Sequence, residues 1–308
     1  MKIFSTFLIA LFLIAQGVSA QKKKDKEPEI IDWTSYDFTK HYEMKNGGGK
    51  KILAENKRVF IANFQVSQVV NASATQAGSS NFAKMTVSMS KIDENAYQEL
   101  TNRLYKQLVE LLTSQGYEIV SDEEVAKSEF AKKEHNGKTT FCQYSEGKPF
   151  EYGIPGSQIM GFQAANKFIV ANTKAIVGTW WYKFAKEINA NVISVDMQVN
   201  FVGFDGSRRT GYKGGPSMEA GPYLSIRPNV LAANEKGGLA VWSTAVGGNN
   251  NWVGPNGMDK TSSSTTIFGS AKGDYVIDIN QEVYLTEVEN LSKGLNRGFV
   301  KAMMTAIE

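Results

Sequence analysis

A single cysteine, Cys142, only two histidines and no long apolar run beyond the first 20 residues bound what this chain can do. One thiol excludes an intramolecular disulfide, and no cysteine stands at the end of the N-terminal apolar stretch to accept a lipid. His41 and His135 are too few for a His-rich metal site or for most metallohydrolase designs. Outside residues 1–20, no run approaches the roughly 18 apolar residues that a membrane-spanning helix needs. Glycines cluster at 47–49, 214–215, 237–238 and 247–248. None of these clusters forms G-x-x-x-x-G-K-[ST] or a strand-to-helix G-x-G-x-x-G, so nucleotide binding has no support. The sequence contains no repeat of fixed period.

What is present begins with an address. Lys2, the apolar run 3–15 and Val18-Ser19-Ala20 precede the charged Gln21-Lys22-Lys23-Lys24-Asp25-Lys26. A positive start, a short apolar core and a small-x-small end are what a signal peptidase reads, so 1–20 is expected to be a cleaved signal peptide. The remaining 288 residues are expected to be exported: periplasmic, outer-membrane-associated or secreted. Of the formal charge of +3, Lys2 carries one unit and the run 22–26 a net three, which leaves the rest near −1. A nucleic-acid partner is therefore not expected, because such a domain needs a basic face. With 42% hydrophobic and 21% charged residues, the composition is that of a globular domain.

Residues 21–56 read as a charged, flexible leader that ends in Asn46-Gly47-Gly48-Gly49-Lys50-Lys51. Its aromatics, Trp33, Tyr36, Phe38 and Tyr42, are expected to pack on the domain, with packing on a partner as the alternative. That domain, 57–308, reads as a single α/β unit with an irregular insert around 134–160. Residues 58–64 suit a buried strand, 71–81 a loop, and 85–90 alternate as a strand does. Asp93 caps a helix whose stripe runs Ala96, Tyr97, Leu100, Leu104, Leu108, Leu111 and Leu112 to Gly116. Tyr117-Glu118-Ile119-Val120 follows as a strand, and Ser121 or Asp122 opens a helix to about Lys133. The span 158–189 reads as helical, with its apolar stripe over 172–189. Strands are expected at 191–204, 223–230, 239–246 and 274–279, the middle two as a hairpin, while 247–264 is polar. A last helix runs from Glu282 to about Ile307. Together these give a mixed α/β (α+β) fold, a sheet packed by three main helices.

The chemical constellations are thin. Cys142 and His135 lie seven residues apart in the irregular insert, without the surroundings of a thiolate dyad. Asp122, Glu123 and Glu124 suit a helix first turn. Asp274 and Asp278 share one face of a strand, a polar surface or, in the alternative, a cation or acid/base pair. A further acidic group is Glu282, Glu287 and Glu289. Asn71-Ala72-Ser73 and Asn290-Leu291-Ser292 match the glycosylation pattern, the second on an apolar helical stripe. Trp180 and Trp181, adjacent on a helix, cannot share a face, so both are core or one faces a partner. Residues 65–90 and 203–222 mix small and alternating apolar residues, as membrane-inserting hairpins do. No catalytic, cofactor-binding or metal-binding residue is assigned, and no cofactor is expected.

Asn63-Phe64 at a strand end, a long helix, and Gly116-Tyr117-Glu118-Ile119-Val120 resemble the opening of the curli-secretion CsgG family and of lipoprotein activators of penicillin-binding proteins. Lys186-Glu187-Ile188-Asn189-Ala190-Asn191-Val192-Ile193 is similar to their helix-to-strand step, with Asn189 and Asn191 where Gly and Asp are usual. The resemblance spans 57–130 and 184–308 and departs in the absent lipid-accepting cysteine and in the insert 134–183. It implies assembly, activation or secretion support and carries over no active site. The chain is accordingly expected to be a non-enzymatic cell-envelope or secretion-accessory protein. Its expected partners are envelope or secretion-system proteins and further copies of itself, with contact to a membrane surface. An oligomeric β-pore that inserts hairpins is the alternative.

Overall fold

Strand β2, Arg58–Ala77, organises the molecule, and its sequence explains how. Val59, Phe60, Ile61 and Ala62 are apolar on both sides, as a strand covered on both faces requires. An extra residue then enters the parallel pairing with β7, Asn191–Arg208. The ladder steps from Ile61↔Ile193 to Asn63↔Ser194, which leaves Ala62 and Asn63 on one face. Beyond this bulge Phe64 and Val66 point into the main core, while Gln65 and Ser67 point the other way toward Asp196.

The computed structural model describes residues 35–45, 55–77, 82–129, 150–154, 157–164, 180–208, 216–235, 237–265 and 270–305. Besides β2 and β7 the strands are β1 Tyr42–Lys45, β3 Phe82–Met89, β4 Glu118–Ile119, β5 Phe150–Ile154 and β6 Ser157–Gln163. They continue with β8 Pro216–Asn234, β9 Gly237–Ser243, β10 Val246–Gly247, β11 Val253–Thr265 and β12 Ala271–Ile279. All belong to one mixed, 12-stranded sheet whose main path is β1-β9-β8-β7-β2-β3-β12-β11. β7 follows β2 as far as Gln68↔Val199 and then continues against β8, while from Asn71 onward β2 pairs antiparallel with β3. The fold is the expected α/β (α+β) type, a mixed sheet packed by helices.

Helix α1, Glu94–Ser114, begins at Asp93, whose carboxylate accepts from the Ala96 amide at 3.1 Å. Tyr97, Leu100, Leu104, Leu108 and Leu112 are fully buried, each leucine contributing about 1.5–3 kcal/mol by leaving water. Gly116, at φ +78, ends it in a conformation that costs glycine little. Helix α4, Gln281–Met304, lies against α1 on the same side of the sheet. Asn296 Nδ2 donates to the Leu104 carbonyl at 3.1 Å, and Arg103 pairs with Glu289 at 2.7 Å. Between these come α2, Asp122–Ala126, capped by Ser121, and α3, Trp180–Glu187. They cover the opposite face at one end, where Phe184 and Ile188 meet Phe60, Ala62, Val120, Val125 and Val192.

Several elements differ from their sequence expectation. Residues 71–77 are strand rather than loop, because their small polar side chains lie in a ladder with β3. Residues 158–163 form β6 rather than the start of a helix; β6 pairs with β2 along 65–72 and with β5 inside the insert expected to be irregular. Polar 253–265 is strand β11, whose exposed residues needed no apolar alternation. Residues 35–45, expected in the flexible leader, are a packed strap: a 3-10 turn, Phe38–His41, followed by β1 on β9. The strap aromatics Phe38 and Tyr42 do pack on the domain. The expected helix beyond Glu129 to about Lys133, and residues 165–179 of the expected long helix, lie outside the described residues, as do Trp33, His135 and Cys142.

Candidate functional site

Two constructions stand out once the strands are in register. The first is a polar band across the sheet face opposite α1 and α4. In-register rungs place Asn63 beside Ser194, Gln65 beside Asp196, and Asp196 beside Asn229. Ser67 Oγ donates to Asp196 Oδ1 at 2.6 Å, and Gln65 Nε2 donates to Ser67 Oγ at 3.2 Å. Gln163 Nε2 on β6 donates to Asn63 Oδ1 at 2.9 Å. Burial pushes the Asp196 carboxyl up to about 6, against the pull of hydrogen bonds from Ser67, Gln65 and Asn229, which favour the ionised form. Arg227 sits exposed on the next rung of β8, beside Gln198. Chemically the band can accept hydrogen bonds, and its carboxyl keeps a proton up to about pH 6. Its groups bonded to Asp196 are hydroxyl and amides, so the band has the form of a hydrogen-bonding surface rather than of a paired acid and base.

On the other face Gln68 ties the two long helices to the sheet. Tyr97 and Tyr284 donate to its Oε1 at 3.0 and 3.1 Å, and its Nε2 donates to the Val69 carbonyl at 2.6 Å. All three side chains are buried, and that burial pushes both phenols up.

The second construction is the groove that holds the strap. On α4, Gly294 and Gly298 stand one turn apart and open a notch that Phe38 fills, at 3% exposure. A Cβ on Gly294 would come within 2.2 Å of the Phe38 ring, and one on Gly298 within 2.7 Å of its backbone. Mid-helix glycine costs about 1 kcal/mol relative to alanine, so the notch is a sequence signal that helix periodicity does not display. Tyr42 Oη donates to the Leu295 carbonyl at 3.0 Å, and its ring tilts on Phe299. His41 bridges Tyr36 Oη at 2.8 Å and Thr244 Oγ1 at 2.9 Å. Burial, with Lys40 adding, holds the His41 imidazole below its ordinary value. Strand β1 then completes the site by pairing Tyr42↔Ser243 through Lys45↔Ala240. Extended backbone pairing plus a side-chain anchor is the chemistry of β-strand addition, here made within one chain.

The residues weighed in the sequence are scattered. Asp274 accepts from Ser262 at 2.5 Å, and Asp278 accepts from Asn256 Nδ2 at 3.1 Å. The two aspartates thus pin the irregular stretches of β11, where pairing shifts between Val253 and Met258 and again between Lys260 and Ser262. Glu124 pairs with Arg58, Glu289 with Arg103 and Lys293, and Glu287 accepts weakly from Asn251. Asn71, of the first glycosylation pattern, donates to Ser88 Oγ at 2.7 Å, and Leu291, of the second, is fully buried. The side chains of Trp180 and Trp181 lie outside the described set. Among the described residues no group of three or more His, Cys, Asp and Glu could hold a metal ion, and no helix is long and apolar enough to cross a membrane. Protein-family models, curated proteins and solved structures, compared with this chain, give no match.

Proposed function

We propose that this protein is an exported, non-enzymatic accessory of the cell envelope or of a secretion system, working by binding proteins, copies of itself included. The observation that carries this is the strap groove, a strand edge and an aromatic notch that take up an extended peptide. Export rests on the signal pattern of residues 1–20. The surface supports contact with proteins over lipid: among the described residues Tyr223, at 46%, is the exposed large apolar side chain, and 259–264 on β11 are exposed and polar. A lipid-facing strand alternates apolar residues instead.

Site-specific photo-crosslinking in cells tests this, with the reactive group at exposed Glu43 beside the groove or at Lys260 on β11. The expected outcome is a processed chain in the envelope fraction that forms adducts with envelope proteins or with itself from Glu43. A chain that stays unprocessed, or that yields no adduct, would overturn the proposal. Release of dye from liposomes by the purified oligomer would replace it with a pore.

A further inference from the structure

We infer that the strap is an exchangeable arm: residues 35–45 of one copy can fill the groove of a second copy and thereby join them. This rests on the reading of the protein as one that acts by protein contacts, and it names the partner.

The arm is held by parts of the chain remote from it. The His41–Thr244 and Tyr42–Leu295 bonds join residues 203 and 253 positions apart, and Phe38 packs on α4. Residues 46–57, with glycine at 47, 48 and 49, connect the arm to β2. Twelve residues reach at most about 40 Å, and glycine-rich links cost little to redirect. A second copy's groove offers the same notch, the same Leu295 carbonyl and the same β9 backbone. Exchange therefore keeps every arm contact and gives up only the effective concentration that tethering supplies, on the order of millimolar. The groove also favours staying filled. Without Phe38 its glycine floor would face water, so an arm displaced from one copy is driven toward another.

The far end of the sheet supports the same occupant. Strand β11 carries two register shifts, Gly257 at φ +64, Pro255 and an exposed Lys260, the devices by which edges refuse a new strand. Copies are thus directed to the β9 side rather than to simple extension of the sheet.

The test places cysteines at Met44 and Val241, strand partners across β1 and β9, in the full chain carrying Cys142→Ser. Heavy-isotope and unlabelled protein are mixed at high concentration, oxidised and separated without reductant. Disulfide-linked dimers holding one heavy and one light chain, increasing with concentration and missing from either single variant, are expected. Disulfides confined to single chains at every concentration would overturn the inference. A second measurement avoids engineered cysteines. Deleting Gly47–Gly49 shortens the reach of the link and should hinder docking within a chain, raising the dimer fraction in sedimentation. A protein that stays monomeric after the deletion counts equally against exchange. If Glu43 still crosslinks to envelope proteins while the disulfide closes only within chains, the proposed function stands and arm exchange falls.

Discussion

The two faces of this sheet are built from the same strands and behave as opposites. Along β2, Phe64 and Val66 point into the core under α1 and α4, and Gln65 and Ser67 point into a band of amides and hydroxyls around Asp196. Leu104 and Ser67 are equally buried, each at 0% exposure, yet one removes methyl groups from water and the other fills a hydrogen-bonding place. Burial alone therefore does not say what a residue contributes. The helical face supplies cohesion, whereas the polar face holds a carboxylate that folding makes harder to ionise.

Six substitutions, in four groups, test that contrast. The largest effects belong to the helical face. Phe38→Ala should lower stability by about 3–5 kcal/mol and Leu104→Ala by about 2–5 kcal/mol in denaturant titrations. Phe38→Ala should also release the strap to proteolysis, and a fall below 1 kcal/mol would mean that the notch does not grip it.

Next comes the polar face, with the opposite sign. The Asp196 carboxyl titrates near 3.8 when unfolded and about 6 when folded, so between these values the native state holds more protons. Its contribution is most favourable below pH 3.8, is lost as pH rises through 6, and levels off above. The difference is worth about 3 kcal/mol at most. Asp196→Asn should therefore stabilise the protein at pH 7–8 and flatten this slope, as thermal melts across pH would show. An unchanged slope would remove Asp196 from the account.

Tyr97→Phe is a smaller probe. It deletes one of two hydroxyls that reach Gln68 and should cost about 1 kcal/mol, since Tyr284 still satisfies the amide. Gln68→Leu in the same background should then cost less than the two single changes together, because the partners are shared. Smallest is the strap's response to acid. His41 is buried with its pKa lowered, so its contribution is full above about 6.5 and is lost as pH falls below. Hydrogen exchange at 35–45 should quicken in mild acid, and His41→Gln should blunt that change.

The parts legible in the sequence were those with one dominant period. Leu100, Leu104, Leu108 and Leu112 announce α1, Asp93 and Gly116 bound it, and the apolar 58–64 announces β2. The polar band was half visible. Ser194, Asp196, Gln198 and Asn200 alternate with Val195, Met197 and Val199, which shows a strand with two unlike faces. What it could not show is that Asn63, Gln65 and Ser67 meet them, since the bulge at Ala62 decides that face. Strand β11 was hidden for another reason: exposed on both sides over 259–264, it carries no burial pattern to read. The groove was hidden because Gly294 and Gly298 look like weak points in a helix until Phe38, more than 250 positions earlier in the chain, is placed between them.

That distance has a consequence for synthesis. The strap belongs to the first segment of the domain to be made, and its floor, α4, belongs to the last. Contacts of such separation must wait for loop closure across nearly the whole chain, which places this fold among slow, non-local folders. Until α4 is synthesised, the Phe38 ring lacks its notch and the Tyr42 hydroxyl its Leu295 carbonyl. A chain that has not yet made α4 therefore leaves the strap unanchored, and one that has made it can close.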